Sequence, residues 1–154
     1  QTINDHWGYS ITDSNYKKPK ELIHMLVRAA GKNANLLLNI GPEPGGNLPA
    51  LALDRLKAIG EWMNRYGNTI YGTRGGIVAP HDWGVSTQRG NRLYIHILDC
   101  QDANLFIPLG GRKVKSASVY ATGKRMNYTK TGDGITLNLG KVPTDIDYIV
   151  ELTL

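Results

Sequence analysis

The feature that most constrains this chain is a change in the spacing of its apolar residues near residue 72. Before that point they recur every three or four residues, and after it every second residue. A helical period cannot present one face of a strand, nor a two-residue period one face of a helix, so a helical part is followed by a β-rich part. From Pro19 the residues Leu22, Ile23, Leu26, Ala29 and Ala30 predict a helix with proline in its first turn, Glu21 near its start and Gly31 as its stop. A second helix is predicted from Pro49 to Tyr66, with Ala52, Leu56, Ile59 and Met63 as its apolar stripe and Gly67 ending it. Between them lies Asn35-Leu36-Leu37-Leu38-Asn39-Ile40, a nearly continuous apolar run closed by Gly41-Pro42, the pattern of a parallel strand buried on both faces. Helix, strand, helix signals a parallel α/β arrangement, and two such units cannot close a sheet or barrel by themselves.

From about Tyr71 the alternation is clear in Arg92–Leu98, Ala117–Ala121, Gly134–Leu139 and Tyr148–Leu154, with shorter candidates at Ala103–Ile107 and Lys124–Thr129. Turn signals at Arg89-Gly90-Asn91, Leu109-Gly110-Gly111, Thr122-Gly123-Lys124 and Thr131-Gly132-Asp133-Gly134 separate them, which predicts an antiparallel sandwich or barrel. The boundary between the two parts falls between Gly72 and Pro80.

Several function classes are disfavoured by the same sequence. The formal charge of +5 and pI of 9.4 suggest a polyanion, but the basic residues cluster only at Lys17, Lys18, Lys20 and at Arg112, Lys113, Lys115. Both runs are short and free of interleaved aromatics, so a solvated surface and no nucleic-acid partner are expected. No stretch reaches the roughly 18 apolar residues of a membrane span, and Gln1–Asp5 lacks the basic start and apolar core of a signal peptide. Cys100 is the single cysteine, without a disulfide partner or a basic neighbour in sequence to activate it. His6, His24, His81 and His96 have no metal-ligand spacing, and no phosphate loop, dinucleotide fingerprint or nucleophile elbow is present, so neither a metal nor a cofactor is expected.

The specific signal is an ordered series of three segments: Ile3-Asn4-Asp5-His6-Trp7-Gly8-Tyr9, then Asn35 through Pro42, then Ile59-Gly60-Glu61-Trp62 leading into Ile70-Tyr71-Gly72-Thr73. Together they resemble the C-terminal portion of the catalytic domain of family 29 α-L-fucosidases, and the β-rich remainder is similar to the C-terminal domain of those enzymes. The chain departs from the family pattern at Gly45-Gly46, where an aspartate usually precedes the glycine, and at Gly67-Asn68-Thr69, where glycine, glutamate, alanine is usual. The resemblance implies an α/β plus all-β fold. Residues 1–72 would be the last βα units of a (β/α)8 barrel, and residues 73–154 an antiparallel β-sandwich.

In such a barrel the active site is built from loops at the C-terminal ends of the strands. The resemblance therefore places Asn4–Tyr9 at the mouth of the seventh strand and Asn39–Asn47 at the mouth of the eighth. Trp7 is the candidate substrate-binding residue, because the apolar face of a pyranose and the methyl group of fucose are desolvated against an indole; the alternative is a core tryptophan that packs the loop. His6 and Tyr9 are open between lining the mouth and supporting it, and Asn39 between a loop backbone and a sugar hydroxyl. Trp62 is expected at the interface between the two parts. Trp83 is expected to pack at the start of the sandwich, with a sugar platform as its alternative, and Asn127-Tyr128-Thr129 fits a glycosylation sequon.

A retaining glycosidase needs two carboxyl groups roughly 5 to 5.5 Å apart, one nucleophile and one acid/base. The resemblance implies that the nucleophilic aspartate and the acid/base glutamate both lie upstream, so no catalytic residue is expected here; Asp5, the one acid beside the presumed mouth, is expected to cap its loop. The implied parent hydrolyses terminal α-L-fucosyl linkages, with a fucosylated glycan and the rest of the barrel as partners, in a secreted, periplasmic or lysosomal setting. The other reading is a stand-alone carbohydrate-binding or structural β-sandwich.

Overall fold

In the computed structural model, which describes all 154 residues, two helices precede eight strands. Helix α1 spans Pro19–Gly31 and buries Leu22, Ile23 and Val27. Helix α2 spans Ala50–Tyr66, one residue later than its predicted start because Pro49 is the extended cap, and leads into a 3-10 turn at Gly67–Thr69. The strands are β1 (Arg74–Gly75), β2 (Gly84–Arg89), β3 (Arg92–Ile97), β4 (Asn104–Pro108), β5 (Ser116–Val119), β6 (Asn127–Thr131), β7 (Gly134–Asn138) and β8 (Tyr148–Thr153). They form a five-stranded sheet ordered β1-β2-β3-β8-β5 and a three-stranded sheet ordered β4-β7-β6, with every pair antiparallel. The β2–β3 and β6–β7 hairpins turn on Gly90-Asn91 and Gly132-Asp133. In each the first turn residue has positive φ, 59° at Gly90 and 55° at Gly132, which glycine adopts without steric cost.

The five-stranded sheet is covered on both faces. Leu93, Ile95, Ile97, Val150 and Leu152 point toward the small sheet and share a core with Leu105, Ile107, Ile135 and Leu137. On the opposite face Val85, Tyr94 and Ile149 meet Ile23 and Val27 of α1 and Trp62 of α2. This double burial explains why β3 is closed to solvent from Leu93 to Ile97 although its sequence alternates. It also explains why β2 escaped the sequence reading: Ser86 and Thr87 are polar yet fully buried. Each side chain meets a backbone carbonyl, Ser86 Oγ donating to Val78 O at 2.8 Å and Thr87 Oγ1 to Thr69 O at 2.6 Å.

Thr87 belongs to a longer buried chain. His96 Nε2 lies 3.0 Å from Thr87 Oγ1, and His96 Nδ1 lies 2.7 Å from Asp147 Oδ2, with both the His96 and Asp147 side chains completely excluded from solvent. The 3-10 turn after α2, the adjacent strands β2 and β3 and the segment entering β8 are thereby joined by polar contacts within the helix–sheet core. Arg28 of α1 adds bonds to the carbonyls of His81 and Asp82, and His24 contacts Ile146 O. Trp62 is buried between the helices and the large sheet, as expected of a residue packing between the two parts, and its indole nitrogen has no hydrogen-bond partner.

The expected buried parallel strand at Asn35–Ile40 requires correction. The segment is extended but forms only a single parallel bridge, Thr2 to Asn39, with Ile3 N donating to Asn39 O and Asn39 N to Gln1 O. Leu38 and Ile40 pack against the small cluster of Ile3, Leu22 and Ala52, whereas Leu37 is 76% exposed. A strand buried on both faces needs a neighbour at each edge and a layer on each side. Here it has one short neighbour and one layer.

Candidate functional site

The residues between Ile3 and α1 form a surface loop, and Asp13 is its organiser. Asp13 Oδ2 accepts from the backbone nitrogens of Asp5 (3.1 Å) and His6 (3.2 Å) and contacts His6 Nδ1 (2.7 Å), while Oδ1 accepts from Asn15 N (3.0 Å). The carboxylate is almost fully covered by the loop it gathers. Its pKa is lowered from the ordinary 3.8, first by the His6 hydrogen bond and then by the backbone donors from Asn15 and Asp5, against an opposing effect of desolvation. Asp13 was not singled out in the sequence; the signal was the Asp13-Ser14-Asn15 spacing of an Asx turn, in which the carboxylate bonds the nitrogen two residues on.

The far side of the loop is pinned by the segment after α1. Asn39 Nδ2 donates to Trp7 O at 2.7 Å, the loop-backbone contact expected as one of its two roles. Gly41 lies so close to the Gly8–Tyr9 peptide that a Cβ there would collide with Gly8 C and Tyr9 N. Lys17 Nζ holds Thr2 O at 2.8 Å from below. Between these anchors the Trp7 side chain projects outward, 67% exposed. It is therefore no core tryptophan in this chain. Tyr9 is also exposed, while His6 is engaged by Asp13 and Asp5 accepts from Asn15 Nδ2 at 2.9 Å. Asp5 thus caps the loop. Tyr16 lies behind it, its hydroxyl pKa raised by burial and then by the charges of Asp13, Tyr9 and Glu43.

Away from this loop, Trp83 is half-buried against the inter-sheet core, with His81 stacked on it at 5.2 Å. Cys100 Sγ donates to Asp102 O at 2.9 Å, which leaves it a local structural contact.

The family model for α-L-fucosidase matches residues 1–68, the part that contains the Trp7 loop, Asn39 and both helices. Over these residues the chain matches the α-L-fucosidase family. Among curated family relatives, an α-L-fucosidase of Dictyostelium discoideum is 28% identical over 169 aligned residues, covering 99% of this chain and 37% of the relative. Among solved family structures, α-L-fucosidase isoenzyme 1 from Paenibacillus thiaminolyticus superimposes with a TM-score of 0.88 at 37% identity, covering 99% of this chain and 38% of that one. A family 29 α-L-fucosidase from Bacteroides thetaiotaomicron, solved as a trapped covalent intermediate with 2-fluoro-fucosyl fluoride, has a TM-score of 0.87 at 28% identity and the same 99% coverage of this chain, against 36% of its own. The chain therefore spans a little over a third of the length of the fucosidases it matches.

The anchoring of Trp7 by Asp13 leads to a pH expectation. A carboxylate whose pKa is depressed on folding stabilises the loop above its unfolded value of 3.8 and loses that contribution as pH falls through the lower folded value. Trp7 fluorescence is expected to be constant from neutral pH down to about 4 and to change below that. Comparison of spectra with and without Trp7→Phe isolates its signal, and the low-pH step is expected to vanish in Asp13→Asn.

Proposed function

We propose that this chain is the C-terminal part of a retaining α-L-fucosidase that hydrolyses terminal α-L-fucosyl linkages of glycans, and that Trp7 lines the fucose pocket. The observation that carries the reading is an exposed indole on a loop whose backbone is held from both sides, by Asp13 within the loop and by Asn39 and Gly41 across it. An exposed aromatic on a fixed loop offers the apolar face of a sugar a surface to stack on.

On this reading residues 1–72 are the closing βα units of the catalytic barrel and residues 73–154 its accessory β-sandwich. The parallel bridge between Thr2 and Asn39 is the contact of the last two barrel strands. The exposed Leu37, Ile11, Leu51 and Leu53 then mark surface covered by the remaining barrel, which argues against a stand-alone module. Hydrolysis proceeds by double displacement, as the covalently trapped relative suggests. An aspartate outside these residues attacks the anomeric carbon and displaces the aglycone, a glutamate protonates the leaving oxygen, and the same glutamate then deprotonates the water that releases fucose. Asp5 and Asp13 are not part of this chemistry, because both serve the loop as hydrogen-bond acceptors.

The direct test is an assay of the purified 154-residue chain, its mass verified, beside the full-length enzyme on an activated aryl α-L-fucoside. The chain is expected to show no turnover. Turnover that copurifies with it and disappears in Asp5→Asn would mean that a complete site exists within these residues and would overturn the assignment of the carboxylates.

A further inference from the structure

The region from Arg112 to Gly132 contains six cationic side chains and no carboxylate, an excess larger than the +5 of the whole chain. The sequence separates these residues into runs that each look ordinary. The fold brings them together, because β5 is an edge of the large sheet, β6 is an edge of the small one, and the chain between them doubles back along β5. Val119 N bonds Lys124 O at 2.8 Å and Met126 N bonds Ala117 O at 2.9 Å, so Lys124 and Arg125 lie beside β5. Two clefts open along this seam. One, of about 450 Å³, is lined by Lys115, Arg125, Ser116 and Ser118; the other, of about 340 Å³, by Arg112, Lys113 and Lys130, with Asp133 as its one acid.

Tyr128 lines both clefts, its hydroxyl donating to Val114 O at 3.2 Å. The ring is thereby fixed as a wall between two groups of cations. None of the six cations is in a salt bridge, and only Lys115 makes a side-chain hydrogen bond, to Leu154 O. Unpaired like charges at this density repel one another, and a ligand that supplies fixed anionic groups removes that repulsion while releasing its own counterions.

We propose that this seam binds a sulfated polysaccharide. Sulfate groups match the arginine forks and lysine ammonium groups, Ser116 and Ser118 are placed to meet sugar hydroxyls, and one immobilised tyrosine gives a single pyranose a stacking face. Single-stranded nucleic acid is the poorer fit, because it is held by successive stacking aromatics and the seam has one. The preference for a polysaccharide also rests on the fucosidase reading, whereas binding is measured without reference to turnover.

The test uses the full-length protein and fluorescent dextran sulfate titrated at several salt concentrations, with unsulfated dextran and a single-stranded oligonucleotide of matched charge as comparisons. Dextran sulfate is expected to bind with an affinity that falls as salt rises, and unsulfated dextran not to bind. Combined Arg112→Ser, Lys113→Ser, Arg125→Ser and Lys130→Ser is expected to weaken binding roughly tenfold or more at about 150 mM salt and to flatten the salt dependence. The combination Lys18→Ser, Lys20→Ser, Lys57→Ser and Lys141→Ser, which removes the same charge elsewhere, is expected to retain most of the affinity. Equal losses in the two combinations would reduce the effect to net charge and overturn the proposal, as would tighter binding of the oligonucleotide. Binding lost from the first combination with fucosidase activity intact would support the seam; binding retained in that combination would overturn it whatever happens to activity, and the fucosidase reading stands or falls separately on turnover by the unsubstituted protein.

Discussion

Trp7→Ala in the full-length enzyme is expected to lower kcat/KM on an aryl α-L-fucoside by roughly ten- to hundredfold. Burying a large apolar side chain against a ligand contributes about 1.5 to 3 kcal/mol, and each 1.4 kcal/mol lost from the transition-state complex is about a factor of ten. The indole is 67% exposed here, so its removal takes no packing from the core and folding should be unaffected. Trp7→Phe keeps an apolar face and should retain most of the activity. Asn39→Ala tests the anchoring: it removes the 2.7 Å bond to Trp7 O, leaves the ring in place chemically, and should give a smaller loss in the same direction. Unchanged kinetics for Trp7→Ala in a normally folded protein would return the residue to a structural role. An effect at Trp7 with none at Asn39 would show that the loop holds its shape through Asp13 and Gly41 alone.

Asp147→Ala is expected to destabilise the fold by about 3 kcal/mol, at the lower end of the range for breaking a buried pair by removing one partner. His96 would be left with an unpaired ring nitrogen in a site that admits no solvent. For a protein of this size that corresponds to a fall in Tm of roughly 6 to 12 °C. Thr87→Val should cost less, about 1 kcal/mol, since it leaves the Thr69 carbonyl and His96 Nε2 each short of one partner. Because the three side chains act in series, the loss in His96→Leu/Asp147→Leu is expected to be clearly smaller than the sum of the single changes. Strict additivity in thermal or urea denaturation would show that the contacts do not function as one network. The consequence lies in the coupling of the parts: Thr69 follows α2, while Thr87, His96 and Asp147 lie in or beside the large sheet, so weakening the chain should loosen the helices from the sheet before either sheet separates.

What the sequence by itself determined was everything governed by local periodicity and turn chemistry. Both helices were legible from apolar stripes, Leu22, Ile23, Leu26, Ala29 and Ala30 in one and Ala52, Leu56, Ile59 and Met63 in the other, although in the second the buried residues are Ala52 and Trp62. Six of the strands were legible from alternation, and the hairpins at Gly90 and Gly132 from glycines that the turns require. The ordered segments around Trp7, Asn39 and Trp62 were sufficient to identify the family. Only the tertiary structure decided the rest, for one physical reason: the outcome depended on what lies opposite a residue rather than beside it. Ser86 and Thr87 resemble surface residues until Val78 and Thr69 supply acceptors for their hydroxyls, which is why β2 was missed. Asn35–Ile40 has the composition of a buried strand, but Leu37 faces solvent because burial requires neighbours that these residues do not supply. Asp13, spaced from His6 by a whole loop, becomes its organiser only when the loop closes. The cations at Arg112, Lys113 and Lys115 are unremarkable along the chain and become a seam only when the return along β5 sets Arg125 and Lys130 beside them, because charge density is a property of surface and not of sequence.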